Sequence, residues 1–166
     1  WDTASESHRS RAFVAFGDFS RHLILEKEYP VSAFEASYDR PFVKVGPHFA
    51  TDRSLVGDFE QDGHSVTWAL ALNKRVGWDA MGWGLSFPQV FNIYWHPAQM
   101  DASYSGFLTV DGHTYIIAEA HGYQDRNWGR RFPEWWFGMA INSFDENPDS
   151  AFAGGGGDAR TRDGLK

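Results

Sequence analysis

Two Asp-Gly pairs constrain the folding of this chain more than any other feature. Asp62-Gly63 separates residues 55–61 from 65–73, and Asp111-Gly112 separates 104–110 from 113–119. Both residue types tolerate the positive φ of a tight primed turn, so each pair predicts a β-hairpin. Residues 65–73 (SVTWALALN) support this, with Val66, Trp68, Leu70 and Leu72 on one face and Thr67, Ala69 and Ala71 on the other. A period of two is the pattern of a half-buried strand, whereas a helix needs a period near 3.6. Residues 11–16 (RAFVAF) and 22–26 (HLILE) read as a second pair around Gly17-Asp18, and 135–142 (WWFGMAIN) as a further strand. No window carries an amphipathic helix capped at both ends. The expected fold is all-β and antiparallel. It should close as a barrel with a ligand mouth or pack as two sheets, because open strand edges invite aggregation.

The chain has 166 residues, enough for one ordinary domain with a real core. Residues 1–145 read as the β domain. Residues 146–166 change character: Pro148 lies in a polar stretch, and Gly154–Gly157 form a run that reads as a flexible linker toward a missing domain, or as a disordered tail. The chain begins at Trp1 with neither Met nor a signal peptide, which reads as a piece of a longer protein and leaves its native localisation unknown.

Composition narrows the partners. Eight Trp, fourteen Phe and six Tyr make the chain 17% aromatic, more than a core of this size needs. The excess points to a cavity for a large apolar ligand, with an aromatic β core as the equally open reading. A net charge of −7 argues against nucleic acid, whose phosphates call for Lys and Arg. No apolar run is long enough to span a bilayer, so the domain is expected to be soluble, with peripheral membrane contact as one route to an apolar substrate. Without Cys there are no disulfides and no thiolate chemistry. Pairs such as His48 and His64 lack metal-ligand spacing, so no metal is expected. No P-loop, dinucleotide fingerprint or nucleophile elbow is present.

The densest chemistry lies in residues 121–137 (HGYQDRNWGRRFPEWWF). The stretch brings together Asp125, Asn127, Arg126, Arg130, Arg131, His121 and several large aromatics. An Asp among Trp side chains is raised in pKa by desolvation, or lowered if Arg126 pairs with it. Raised, it would serve as a general acid in a dry cavity. The plainer reading is an Asp–Arg pair with Trp packing that closes the end of a barrel. In a strand, residues 121, 123, 125 and 127 share one face, while Arg126 and Trp128 alternate away, which weakens that ion pair. His96, between Trp95 and Pro97, is either a base facing the ligand or a satisfied loop histidine.

Tyr123-Gln124-Asp125-Arg126-Asn127-Trp128-Gly129, followed by Phe132-Pro133 and Trp135-Trp136-Phe137, resembles the signature of tocopherol cyclase-like proteins. Its core is also similar to that of carotenoid 1,2-hydratases and lipocalin-like Diels–Alderases. Further segments fit the same pattern in order: Trp83-Gly84 to Phe87-Pro88, Tyr94-Trp95-His96, and Ser105-Gly106 with Val110-Asp111-Gly112. Residues 151–160 (AFAGGGGDAR) resemble the Gly-rich opening of the family's second lobe.

The resemblance implies a lipocalin-like barrel or strongly curved sandwich, the first lobe of a two-lobed protein whose second lobe is a partner. It implies an acid-catalysed cyclase or hydratase acting on a prenylquinol, carotenoid or polyketide-like molecule, without cofactor or metal. Asp125 would be the proton donor, with Tyr123 and Asn127 hydrogen-bonded beside it and His121 on the same face. Trp95, His96, Trp128, Phe132, Trp135 and Trp136 would contact substrate, the Trp rings stabilising a cation or walling the pocket. The rival expectations are a carrier of the same ligand without chemistry, and a lobe whose role is structural.

Overall fold

The computed structural model describes residues 11–37, 39–82, 91–130 and 132–158. Arg131, the Trp83-to-Pro88 motif, and Ala159 and Arg160 of the Gly-rich segment lie outside the described residues.

The fold is all-β and antiparallel. Its strands are β1 (Ala12–Asp18), β2 (Leu23–Tyr29), β3 (Phe34–Ser37), β4 (Phe42–Val45), β5 (His48–Thr51), β6 (Ser54–Gln61), β7 (His64–Val76), β8 (Ile93–Val110), β9 (His113–Gly129), β10 (Trp136–Ile141) and β11 (Phe152–Gly157). They form a seven-stranded sheet in the order β3-β4-β5-β6-β7-β8-β9 and two ribbons, β1-β2 and β10-β11. Among the described residues no pairing joins β3 to β9, so the expected closed barrel is not formed by this sheet. Its two edges are protected in other ways. The β3 strand has only four residues, and β9 carries Glu119, Asp125 and Arg126.

Both Asp-Gly turns form as expected, with Asp62 at φ 51° and Gly63 at 82°, and Asp111 at 51° and Gly112 at 78°. The first hairpin is displaced from its expected position. Gly17 and Asp18 belong to β1, and Asp18 pairs with Leu23. The Asp18 carboxylate explains the shift, accepting the backbone N–H groups of Ser20 and Arg21 at 3.0 and 3.2 Å and moving the turn to residues 19–22. The Gly154–Gly157 run is not a linker in the described residues. It lies in β11, where Gly155 pairs with Gly138 and Gly157 with Trp136.

The chain divides into two compact units. One comprises the chain up to Asn73 plus Tyr104–Ala120, and the other Lys74–Ser103 plus the chain from His121 onward. The first has a conventional core of Leu25, Phe59, Val66 and Val110, with Val14, Phe16, Leu23, Trp68 and Leu108 packed against it. Val66 and Leu72 of β7 are buried and Thr67 and Ala71 exposed, as the alternation predicts. In the second unit the buried residues are polar as well as apolar: Gln99, Asp101 and Ser103 alternate with Met100 and Ala102 along β8. That segment was not legible as a strand because His96-Pro97 reads as a loop, yet Pro97 is fully buried within β8.

Candidate active site

The second unit holds a cavity of about 510 Å³, within the range of sites that enclose a small molecule. Ile93, Tyr94 and Trp95 of β8 and Tyr123, Asp125 and Asn127 of β9 form one wall. The alternation of β9 places those three side chains together, as the sequence predicts. Phe132, Pro133 and residues 136–140 of β10 form another wall, completed by Gly154–Gly157 of β11. The lining is overwhelmingly apolar, and its polar groups come from β9 and the facing part of β8.

Asp125 is the centre of those polar groups. The Trp95 indole N–H donates to its Oδ2 at 2.8 Å, and the Tyr123 hydroxyl donates to the same oxygen at 3.1 Å. Oδ1 has no hydrogen-bond partner among the described residues. Burial pushes the Tyr123 phenol up to about 12, helped by the Asp125 charge and their hydrogen bond, while the Trp95 N–H acts in the opposite direction. Tyr123 therefore remains a protonated donor across the neutral range. Asp125 makes no ion pair among the described residues. Arg126, a proposed partner, sits instead with its guanidinium 5.5 Å from the Trp128 ring centre.

The remaining sequence candidates divide. Phe132, Trp95 and Trp136 line the cavity. Trp128 does not; it stacks on Tyr94, a lining residue, with ring centres 5.6 Å apart and planes 13° apart. Trp135 is 60% exposed and does not line the cavity. His96 also lies off the wall, in β8, with Nδ1 3.8 Å from an Asp79 carboxylate oxygen. His121 is drawn away from the cavity by Asp101, its Nδ1 lying 2.9 Å from Oδ1 of that fully buried carboxylate. Arg75 approaches the other oxygen of Asp101 at 3.6 Å. This cluster on three strands explains why His121 faces Asp101: it supplies a hydrogen-bond partner to a buried carboxyl group.

Sequence reasoning missed several parts of the site. The indole donor of Trp95 was counted only as apolar wall, and Ile93, Phe137, Met139 and the glycine strand were not counted as wall at all. For Phe137 and Met139 the signal is present in the strand-like WFGMAI run, but nothing local tells which strand faces it. The Gly of the signature has a structural explanation. Gly129, at φ 157°, brings the end of β9 against the backbone of Asn92 and Ile93, where a Cβ would lie 2.7 Å from the Ile93 Cα. The Arg130 N–H then donates to the Asn92 carbonyl at 2.8 Å.

Comparison with known proteins agrees with the motif. The family described as Tocopherol cyclase-like matches residues 16–163. A probable chloroplastic tocopherol cyclase of Oryza sativa subsp. japonica is 25% identical over 88 residues, and a chloroplastic tocopherol cyclase of Zea mays is 26% identical over the same length. Each match covers 48% of this chain and 18% of the relative, so the chain matches less than a fifth of those proteins' length. No solved structure matches the chain. Among the described residues, no helix is long and apolar enough to cross a membrane.

Proposed function

Because this chain belongs to the tocopherol cyclase-like family, we propose that the cavity takes a prenylquinol-like molecule and that Asp125 protonates its trisubstituted double bond. The observation that carries this reading is the place of Asp125 on the wall of the apolar cavity, with Oδ2 held by Trp95 and Tyr123 and Oδ1 without a hydrogen-bond partner among the described residues. In the protonated form that this step uses, the two donors keep Oδ2 as the carbonyl acceptor and leave the acid proton to Oδ1.

Transfer of that proton to the less substituted alkene carbon leaves a tertiary carbocation and the Asp125 carboxylate, which retains both hydrogen bonds. The phenol oxygen of the substrate captures the cation, forming a C–O bond, and its proton returns to Asp125. The net change is an isomerisation that consumes no proton and needs no redox partner. With water in place of the phenol oxygen, the same sequence is a hydration. The ring faces of Trp95, Tyr94 and Trp136 supply negative quadrupole to the cation, and Asn127 supplies a polar contact for the ring hydroxyl.

The lipocalin-like fold and a second lobe, with a boundary near residue 145, belong to the same reading. Exposed Trp135, Phe137, Met139 and Phe152 around the β10-β11 ribbon support it, as apolar surface of the kind a further lobe covers. A second function, a carrier without chemistry, is favoured by the exposure of Asp125, since proton delivery works best where water is excluded.

The test is turnover of a panel of prenylquinols and acyclic polyenes by the full-length protein beside Asp125→Asn. Cyclised or hydrated product from the wild type, abolished by the substitution with ligand binding intact, supports the enzyme. Tight binding without product from any substrate, and no effect of Asp125→Asn, establishes the carrier.

A further inference from the structure

Glycine occupies a position in β10 where neither the backbone nor the packing asks for it. Gly138 does not have a positive φ, so conformational freedom is not the reason. A Cβ built there would meet only the Trp136 ring, at 3.5 Å, which is ordinary van der Waals contact. The other cavity-lining glycines differ. A Cβ at Gly156 would come within 2.8 Å of the Phe137 ring, and one at Gly157 within 2.9 Å of the Trp135 carbonyl oxygen. Those positions are glycine because β10 leans on them. Gly138 has no such neighbour.

A glycine inside a strand weakens it, and without a structural reason it marks a place where something approaches closely. Gly138 lines the cavity. Its cross-strand partner is Gly155, and on the same face that pair is flanked by Trp136 and Gly157 on one side and by Ala140 and Ala153 on the other. One face of the ribbon is therefore a shallow floor with a single indole at one end.

We infer that Gly138 determines which apolar tails the cavity admits: its missing side chain leaves the space in which a long isoprenoid tail lies against the ribbon, with Trp136 bounding that space. This deepens the proposed function and rests on the same cavity, but it concerns tail length and not the proton transfer. The ligand class is an aromatic head with a methyl-branched hydrocarbon tail, and Gly138 is a specificity-determining residue, not a catalytic one.

The experiment compares wild type with Gly138→Ala and Gly138→Val in the full-length protein. Affinity is measured by quenching of tryptophan fluorescence, for a hydroquinone bearing a geranylgeranyl tail and for the same ring bearing a single prenyl group. The expected result is a fall of roughly tenfold or more in the ratio of long-tail to short-tail affinity for Gly138→Val, with a smaller fall for Gly138→Ala. Thermal unfolding of Gly138→Ala should be no lower than wild type, because the site accepts a Cβ. An unchanged ratio overturns the inference, as does a loss of folding with Gly138→Ala, which would make the glycine structural. Product formation is scored separately, so a protein that binds by tail length but turns nothing over refutes the proposed reaction and leaves this inference standing.

Discussion

The two units use the same kinds of residue to opposite ends. In the first, His48 is 3% exposed and enclosed by rings: it stacks on Trp68 with centres 5.9 Å apart and meets Phe59 edge-on at 6.0 Å. Its polar atoms are satisfied as well. The Asp58 N–H donates to Nδ1 at 3.1 Å, so the neutral ring carries its proton on Nε2, 2.6 Å from the Tyr29 hydroxyl oxygen. In the second unit Trp136 is 68% exposed and Phe137 53%, and the space beside them is open. The difference is what stands opposite each ring. Strands facing Trp68 supply His48 and Phe59, whereas the strand facing β10 supplies glycines. Aromatic content by itself decides neither outcome; volume on the facing strand does.

That contrast can be broken or sharpened by substitution. The largest effect is expected at the open site, where Asp125→Asn should lower product formation about 10²- to 10⁴-fold in a turnover assay. A smaller loss would return Asp125 to the role of a polar wall. In the closed unit, Gly57→Ala drives a methyl into the Trp68 indole. It should cost about 1–3 kcal/mol by urea unfolding, whereas Gly138→Ala in the open unit should not lower the midpoint. Equal losses at both glycines would erase the distinction between a packed and an open unit.

Next in size, Tyr123→Phe removes one of the two donors to Asp125 and should reduce turnover roughly tenfold while the Trp95 contact remains. An ultraviolet phenolate titration should lose a tyrosine that ionises near 12. Because the folded value lies above the ordinary 10.0, the contribution of Tyr123 to stability is full below pH 10 and is lost as pH rises toward 12.

The smallest effect concerns His48. Burial lowers its pKa below the ordinary 6.5, so the unfolded chain takes up a proton that the folded unit resists. Stability from this group is full above about pH 6.5 and declines as pH falls through that value toward the lowered folded one. His48→Gln should flatten this slope in urea midpoints measured across the acid range. A slope that survives the substitution would place the acid sensitivity elsewhere.

Much of the molecule was legible in one dimension. The Asp-Gly turns, the alternation of β7 and the shared face of Tyr123, Asp125 and Asn127 all follow from local rules: φ tolerance and a side-chain period of two. The family, too, was carried by a contiguous motif, which needs no knowledge of what lies across from it. What the tertiary structure alone decided was pairing. That Trp95 donates to Asp125 across 30 residues, that a buried Asp101 takes His121 away from the cavity, and that a glycine run becomes a strand against Trp136 and Phe137 are contacts between distant segments. Their energies depend on facing volume, partner charge and water exclusion, and none of these is written in the spacing of residues along a single strand.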